Sequence, residues 1–172
     1  MEILDGQIDI FGNIHKKEIM ENKELEKFNK LLDKKPDNKW VEIGEYGGKK
    51  YRYLPIRKVE ELLKEVFGAV QYKKSGNIMI VGNNVVYSLD VLVFHPVLKE
   101  WLTYNGVSAV PLNVDSEGNT HDLQPLIPLS KALAITNAAR YIGRYFGSHL
   151  NEEDKVKADN PAGLLSELGT KK

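Results

Sequence analysis

From Pro128 to Leu150 the chain reads PLSKALAITNAARYIGRYFGSHL, and this stretch narrows the possible folds more than any other. Leu129, Leu133, Ile135, Ala139, Ile142 and Phe146 recur at roughly helical spacing. Between them stand small residues, among them Ala132, Ala134, Ala138, Gly143 and Gly147. Small side chains let another backbone come close, so the pattern predicts a helix packed tightly on a sheet. Pro128 suits a first helical turn, and Ser130 is available as an N-cap if the helix starts slightly later. The ionised residues of the stretch are Lys131, Arg140 and Arg144, with no acid among them. Arg140 and Arg144 are four apart and would be neighbours on one helix face. A like-charged pair is mildly unfavourable, so an anion is a fitting partner. Two arginines can equally keep one side of a buried helix solvated.

The preceding residues supply a sheet. Val85 to His95 alternates cleanly, with Val85, Tyr87, Leu89, Val91 and Val93 on one face and Val86, Ser88, Asp90, Leu92 and Phe94 on the other. Pro96 ends it. Ala69 to Lys74 begins an earlier strand that resumes at Ile78 to Val81 after a turn or bulge at Ser75-Gly76-Asn77, and Gly82-Asn83-Asn84 is a turn. Glu100 to Pro111 reads as a third strand in which Gly106 marks a bend or bulge.

Two helices come earlier still. Lys16 to Leu32 carries an apolar stripe of Met20, Leu25, Phe28, Leu31 and Leu32, stopped by Pro36. Pro55 starts the second, whose buried face is Ile56, Val59, Leu62, Leu63, Val66 and Phe67, with Gly68 just past its end. Between them, Trp40 to Ile43 is a short strand ended by Gly44, and Lys49 to Leu54 is extended. Residues 1–14 read as a short strand or an arm, Asn113 to Gln124 as a polar loop, and the chain after Leu150 as a charged tail in which Pro161 to Leu168 could form one short helix. The expected class is α+β: a three-stranded antiparallel β-meander packed on a long C-terminal helix, with preceding helices.

Composition removes several functions. There is no cysteine, which excludes disulfides, thiolate chemistry and cysteine-ligated metals. No apolar run reaches the roughly 18–20 residues of a membrane span, and no signal-peptide pattern opens the sequence. A cytoplasmic protein without a membrane partner is expected. No phosphate-cradling Gly-x-x-x-x-Gly-Lys-Ser/Thr loop occurs. His15, His95, His121 and His149 lack metal-ligand spacing. Asp90, Asp115, Asp122 and His121 are the only basis for a metal-dependent nuclease, and a polar loop explains the last three as well. No catalytic residue, metal or cofactor is therefore expected. The net charge is zero, and Tyr51 to Leu150 holds ten basic residues against eight acids, so an anion site must arise from local clustering.

The candidates for such a cluster are Arg140, Arg144 and the pair Arg57 and Lys58. That pair lies in a first helical turn, where the helix dipole disfavours cations. Tyr51, Tyr53, Tyr141 and Tyr145 sit close in sequence to Arg52, Arg140 and Arg144. Such a mixture suits stacked bases and neutralised phosphates, although half-buried tyrosines around a sheet are commoner.

Taken together, these residues resemble the annealing domain of the Rad fifty-two family of single-strand annealing recombinases, phage members included. Two segments carry the resemblance, over a match from about Leu25 to Leu150. ALAITNAARYIGRYFGSHL looks like the family's last core helix, with Ala134-Ile135-Thr136, Arg140, Arg144 and Phe146-Gly147 in its pattern. YRYLPIRKVEELLKEVFG is similar to the helix that follows a Tyr-containing segment and ends in Phe-Gly, and Lys58, beside Arg57, takes the place of its DNA-contacting basic residue. The resemblance implies an N-terminal arm and start of the first helix (1–24), an annealing and oligomerisation domain with a β-β-β-α core (25–150) and a flexible tail (151–172). It further implies ATP-independent annealing of single-stranded DNA, in recombination and repair, by a homo-oligomeric ring or filament in a bacterial or phage-infected cell. The implied DNA-binding residues are Arg140, Arg144, Lys58 and Arg57, joined by Lys131 and Tyr141. Lys73 and Lys74 would approach the second strand, and the tail is a candidate contact for a host single-strand-binding protein. The alternative is an oligomeric structural or adaptor protein of the same fold without annealing activity.

Overall fold

The structure, a computed structural model, describes residues 20–46, 48–112 and 123–152. The N-terminal arm, the start of the first helix, most of the polar loop, the tail beyond Glu152, His15, His121, Asp115 and Asp122 lie outside the described residues. Helix α1 covers 20–32 of them. Phe28 is its buried anchor, Leu25, Leu31 and Leu32 are half-buried, and Met20 is exposed.

A 3-10 turn over Asn38–Trp40 follows, because the Lys39 N–H donates to the Asp37 carboxylate at 3.1 Å and favours a turn over an extended start. That bond and the Lys39 ammonium hold the Asp37 carboxyl below its ordinary range. Trp40 thus belongs to the turn, not to the expected strand. Strand β1, Glu42–Tyr46, runs on through Gly44 and pairs antiparallel with β2, Lys49–Tyr53. Helix α2 spans Ile56–Phe67 with Val59, Leu62, Leu63 and Phe67 buried. Gly68 ends it at φ 72°, its N–H on the Lys64 carbonyl at 2.9 Å, as its position in the sequence predicts.

The main sheet has four antiparallel strands: β3 (Val70–Lys74), β4 (Met79–Val81), β5 (Asn84–His95) and β6 (Glu100–Pro111). Strand β5 is central. One of its edges pairs with both β3 and β4, the other with β6. The sheet counts four strands where three were expected because the first is broken. Ser75 to Ile78 stand opposite only Tyr87 and Ser88, an irregular bulge of four residues against two. Hydroxyls of Ser75 and Ser88, 2.7 Å apart, and the Asn105 amide hold the bulge in place. Gly106 is not the expected bend. Strand β6 pairs with β5 without interruption from His95↔Glu100 to Asn84↔Pro111, and Gly106 instead provides room for a helix.

That helix, α3, spans Leu123–Ile142 and lies over β5 and β6. Its limits differ from the sequence expectation at both ends. Pro128 falls inside it, and Ser130 is buried in mid-helix instead of capping it. Ser130 is held there because its carbonyl accepts the Ser108 hydroxyl of β6 at 2.7 Å. The apolar face also shifts: Ala134, Ile135, Ala138, Ala139 and Ile142 are buried, whereas Leu129 and Leu133 are exposed. The core joins α2, α3 and the inner face of β5, where Leu89, Val91 and Val93 are fully covered. The outer face of the sheet carries exposed Met79, Val81, Trp101 and Val107. Among the described residues no helix is long and apolar enough to cross a membrane.

Candidate nucleic-acid interface

Helix α3 stops at Ile142 because the Leu32 carbonyl of α1 packs against Gly143, where a β-carbon would stand 2.6 Å from its oxygen. The next residues, Arg144–Phe146, form a 3-10 turn closed by Gly147 at φ 86°. Arg140 and Arg144 are therefore not stacked on one helix face as the i, i+4 spacing predicts. They project from two different elements, yet both line one hollow between the ends of α1 and α3, together with Asn29, Asp33, Tyr141 and His149.

Their environments differ. The Arg140 side chain is partly buried, and this desolvation lowers its pKa from the ordinary guanidinium value. No hydrogen bond or ion pair joins it to another described residue. A guanidinium remains charged, so one that is partly desolvated and bonded to no carboxylate among the described residues is a site for an external anion. Arg144 has Asp33 at 4.0 Å from its Nη1, and its Nε is buried without a partner. Tyr141, next to Arg140, is 77 % exposed, a high value for an aromatic ring. Tyr145, by contrast, packs edge-on against Trp40 and Phe146.

A narrower cleft adjoins through the shared residues Arg144 and His149, lined in addition by Lys35, Asn38 and Arg52. The turn carrying Asn38 leads to a third hollow with Lys39, Trp40, Glu42, Arg57, Lys58 and Glu61. Across the three depressions seven cations (Lys35, Lys39, Arg52, Arg57, Lys58, Arg140 and Arg144) face three carboxylates (Asp33, Glu42 and Glu61), a local excess that the neutral whole conceals.

Arg57 and Lys58 are committed internally. Both reach Glu61, at 3.2 and 3.3 Å, and the Lys58 ammonium also lies 4.4 Å from the centre of the Trp40 ring. The Lys58 hydrogen bond, with Arg57 behind it, holds the Glu61 carboxyl below its ordinary range. Their unfavourable place at the start of α2 is thereby offset.

Lys73, Lys74 and Lys131 line none of these depressions. Lys73 and Lys74 are successive residues of β3 and point to opposite faces of the sheet, and Lys131 lies on the exposed side of α3. The residues missing from the sequence-based set are Arg52, Lys35, Lys39, Trp40 and His149. The Tyr51-Arg52-Tyr53 run was a signal for Arg52 alone. Among the described residues no group of three His, Asp or Glu side chains gathers as a metal site. Neither family models nor curated proteins give a match to this chain.

Proposed function

We propose that the protein binds single-stranded DNA and anneals complementary strands without ATP, working as a homo-oligomer. The observation that carries this reading is Arg140, a partly desolvated guanidinium without a carboxylate, placed beside Arg144 and an exposed Tyr141. Backbone phosphates would be the anions, and neutralising each one releases condensed counterions and adds about 0.7 to the salt dependence of binding. Tyr141 offers a ring on which a base can stack irrespective of its identity. With the backbone gripped, bases face outward and can test pairing with a second strand.

The sheet order supports the resemblance to the Rad fifty-two family. An interrupted first strand, two long antiparallel strands and a covering helix follow each other in the sequence of a β-β-β-α annealing core. The oligomeric adaptor without annealing activity is favoured by a different feature, the apolar outer sheet face with Met79, Val81 and Val107, which would serve assembly whether or not DNA binds.

Annealing of two complementary labelled oligonucleotides, without nucleotide or metal, separates the two. Acceleration by the wild type and its loss in a still-folded Arg140→Ala/Arg144→Ala variant support annealing in this groove. An oligomer that neither binds nor pairs the strands supports the adaptor.

A further inference from the structure

Among the described residues the β1–β2 hairpin makes no pairing with the main sheet, and an isolated two-stranded hairpin is marginal in water. Leu54, buried in the core directly after β2, anchors the end of the hairpin, and a second contact holds Arg52, which lines the cleft. The outer edge of β2 presents the backbone N–H and C=O of Arg52, and the Asn151 side chain meets both. The Arg52 N–H donates to Asn151 Oδ1 at 2.8 Å, and Asn151 Nδ2 donates to the Arg52 carbonyl at 2.9 Å. A carboxamide carries the same donor and acceptor as a peptide group, so this one side chain does locally what a third strand would.

Asn151 is the last residue of the turn 147–151, which carries His149 and Leu150 into the same cleft behind Arg144. One bidentate contact therefore ties Arg52 on the hairpin to the segment after α3 that also lines the cleft. No hydrogen bond or ion pair joins the Arg52 guanidinium to another described residue, and the Arg144 side chain, 38 % exposed, has only Asp33 near it among those residues, at 4.0 Å from Nη1. Two guanidinium forks with open donors on one cleft match the oxygens of a phosphate group.

We infer that this cleft holds a further backbone phosphate of the bound single strand, and that Asn151 is the positioning residue that keeps Arg52 at it. The inference rests on the single-strand-binding reading above. It extends the DNA path from Arg140 past Arg144 to Arg52, which is not among the DNA-binding residues that the resemblance implies.

The test is the salt dependence of binding to labelled oligothymidylate by the full chain, for wild type, Arg140→Ala, Arg52→Ala, Asn151→Ala and the Arg52→Ala/Asn151→Ala double variant. Arg52→Ala is expected to fold, because Asn151 bonds only backbone atoms of Arg52. It should lower the slope of log affinity against log salt by about 0.7, the loss of one phosphate contact. Asn151→Ala should lower it equally, and the double variant should lose nothing more. A general weakening of the fold would instead add to the Arg52→Ala effect, and that result overturns the positioning role. Where Asn151→Ala does not fold, Asn151→Gln, whose amide is displaced by one methylene, is expected to show the same loss, and an unchanged slope overturns the role. An unchanged slope in Arg52→Ala while Arg140→Ala loses its increment overturns this cleft alone. A wild type that binds no oligothymidylate overturns both this cleft and the annealing reading.

Discussion

Gly106 of β6 lies directly beneath Ala134 of α3: a β-carbon at Gly106 would overlap the Ala134 carbonyl and stand 2.9 Å from the Ala138 β-carbon. The helix rests on the sheet at this point through backbone, and the alanines of α3 complete the fit. Gly106→Ala must push α3 off the sheet, and overpacking of this kind destabilises by about 1–3 kcal/mol, occasionally more. Gly76→Ala is the matched control, since nothing lies within 4 Å of its β-carbon position. It should change stability by no more than about 0.5 kcal/mol. Urea unfolding of the two variants measures the difference.

Two buried serines across the same interface should respond with opposite signs. Ser108 donates its hydroxyl to the Ser130 carbonyl at 2.7 Å, so Ser108→Ala is expected to cost about 1 kcal/mol. The Ser130 hydroxyl is fully buried and has no partner. Ser130→Ala removes a desolvated group and leaves a better helix former, and it should be neutral or stabilising by up to about 1 kcal/mol. Equal losses in both variants would show that the Ser130 hydroxyl is bonded in solution.

What could be read from the sequence was what local chemistry decides. The alternation of Val85 to Val93 reports which side of β5 is buried because side chains alternate on any strand. Gly68 ends α2 because only glycine enters its φ of 72° freely. The ends of α3 were not legible. Its C-terminus is set by the Leu32 carbonyl, far away in sequence, and its N-terminus passes a proline that the local rule places in the first turn. The site divides in the same way. Arg140 could be found because its surroundings on α3 lack acids. The roles of Lys58 and Arg52 depend on Trp40 and Asn151, partners that no spacing rule connects to them.

Asp33 competes for the anion site. Its carboxylate stands 4.0 Å from Arg144 and is, among the described residues, the only acid lining the hollow that Arg140 shares. Both side chains are substantially exposed, at 38 % and 74 %, which limits their attraction to the modest range of surface pairs. Asp33→Asn should therefore raise the affinity for oligothymidylate about two- to fivefold, at a stability cost of no more than about 1 kcal/mol. Unchanged affinity would place the bound strand away from Arg144.

His95 makes stability depend on pH. Its ring is buried against Phe28, with centroids 4.4 Å apart, and Nδ1 accepts the N–H groups of Val97 at 3.3 Å and Leu98 at 3.1 Å. Burial depresses its pKa below the ordinary 6.5, with Glu100 acting weakly in the opposite direction. A protonated Nδ1 would also lose its capacity to accept either bond. The unfolded chain binds the proton near the ordinary value, whereas the folded chain refuses it until lower pH. The stabilisation is thus complete above pH 6.5 and is lost as pH falls from there through the depressed native value. His95→Asn keeps an acceptor for the two amides and does not titrate. Thermal unfolding followed from about pH 8 to about pH 5 should show a steeper loss for wild type than for His95→Asn. Parallel curves would mean that His95 is protonated equally in both states and does not anchor the turn as a neutral ring.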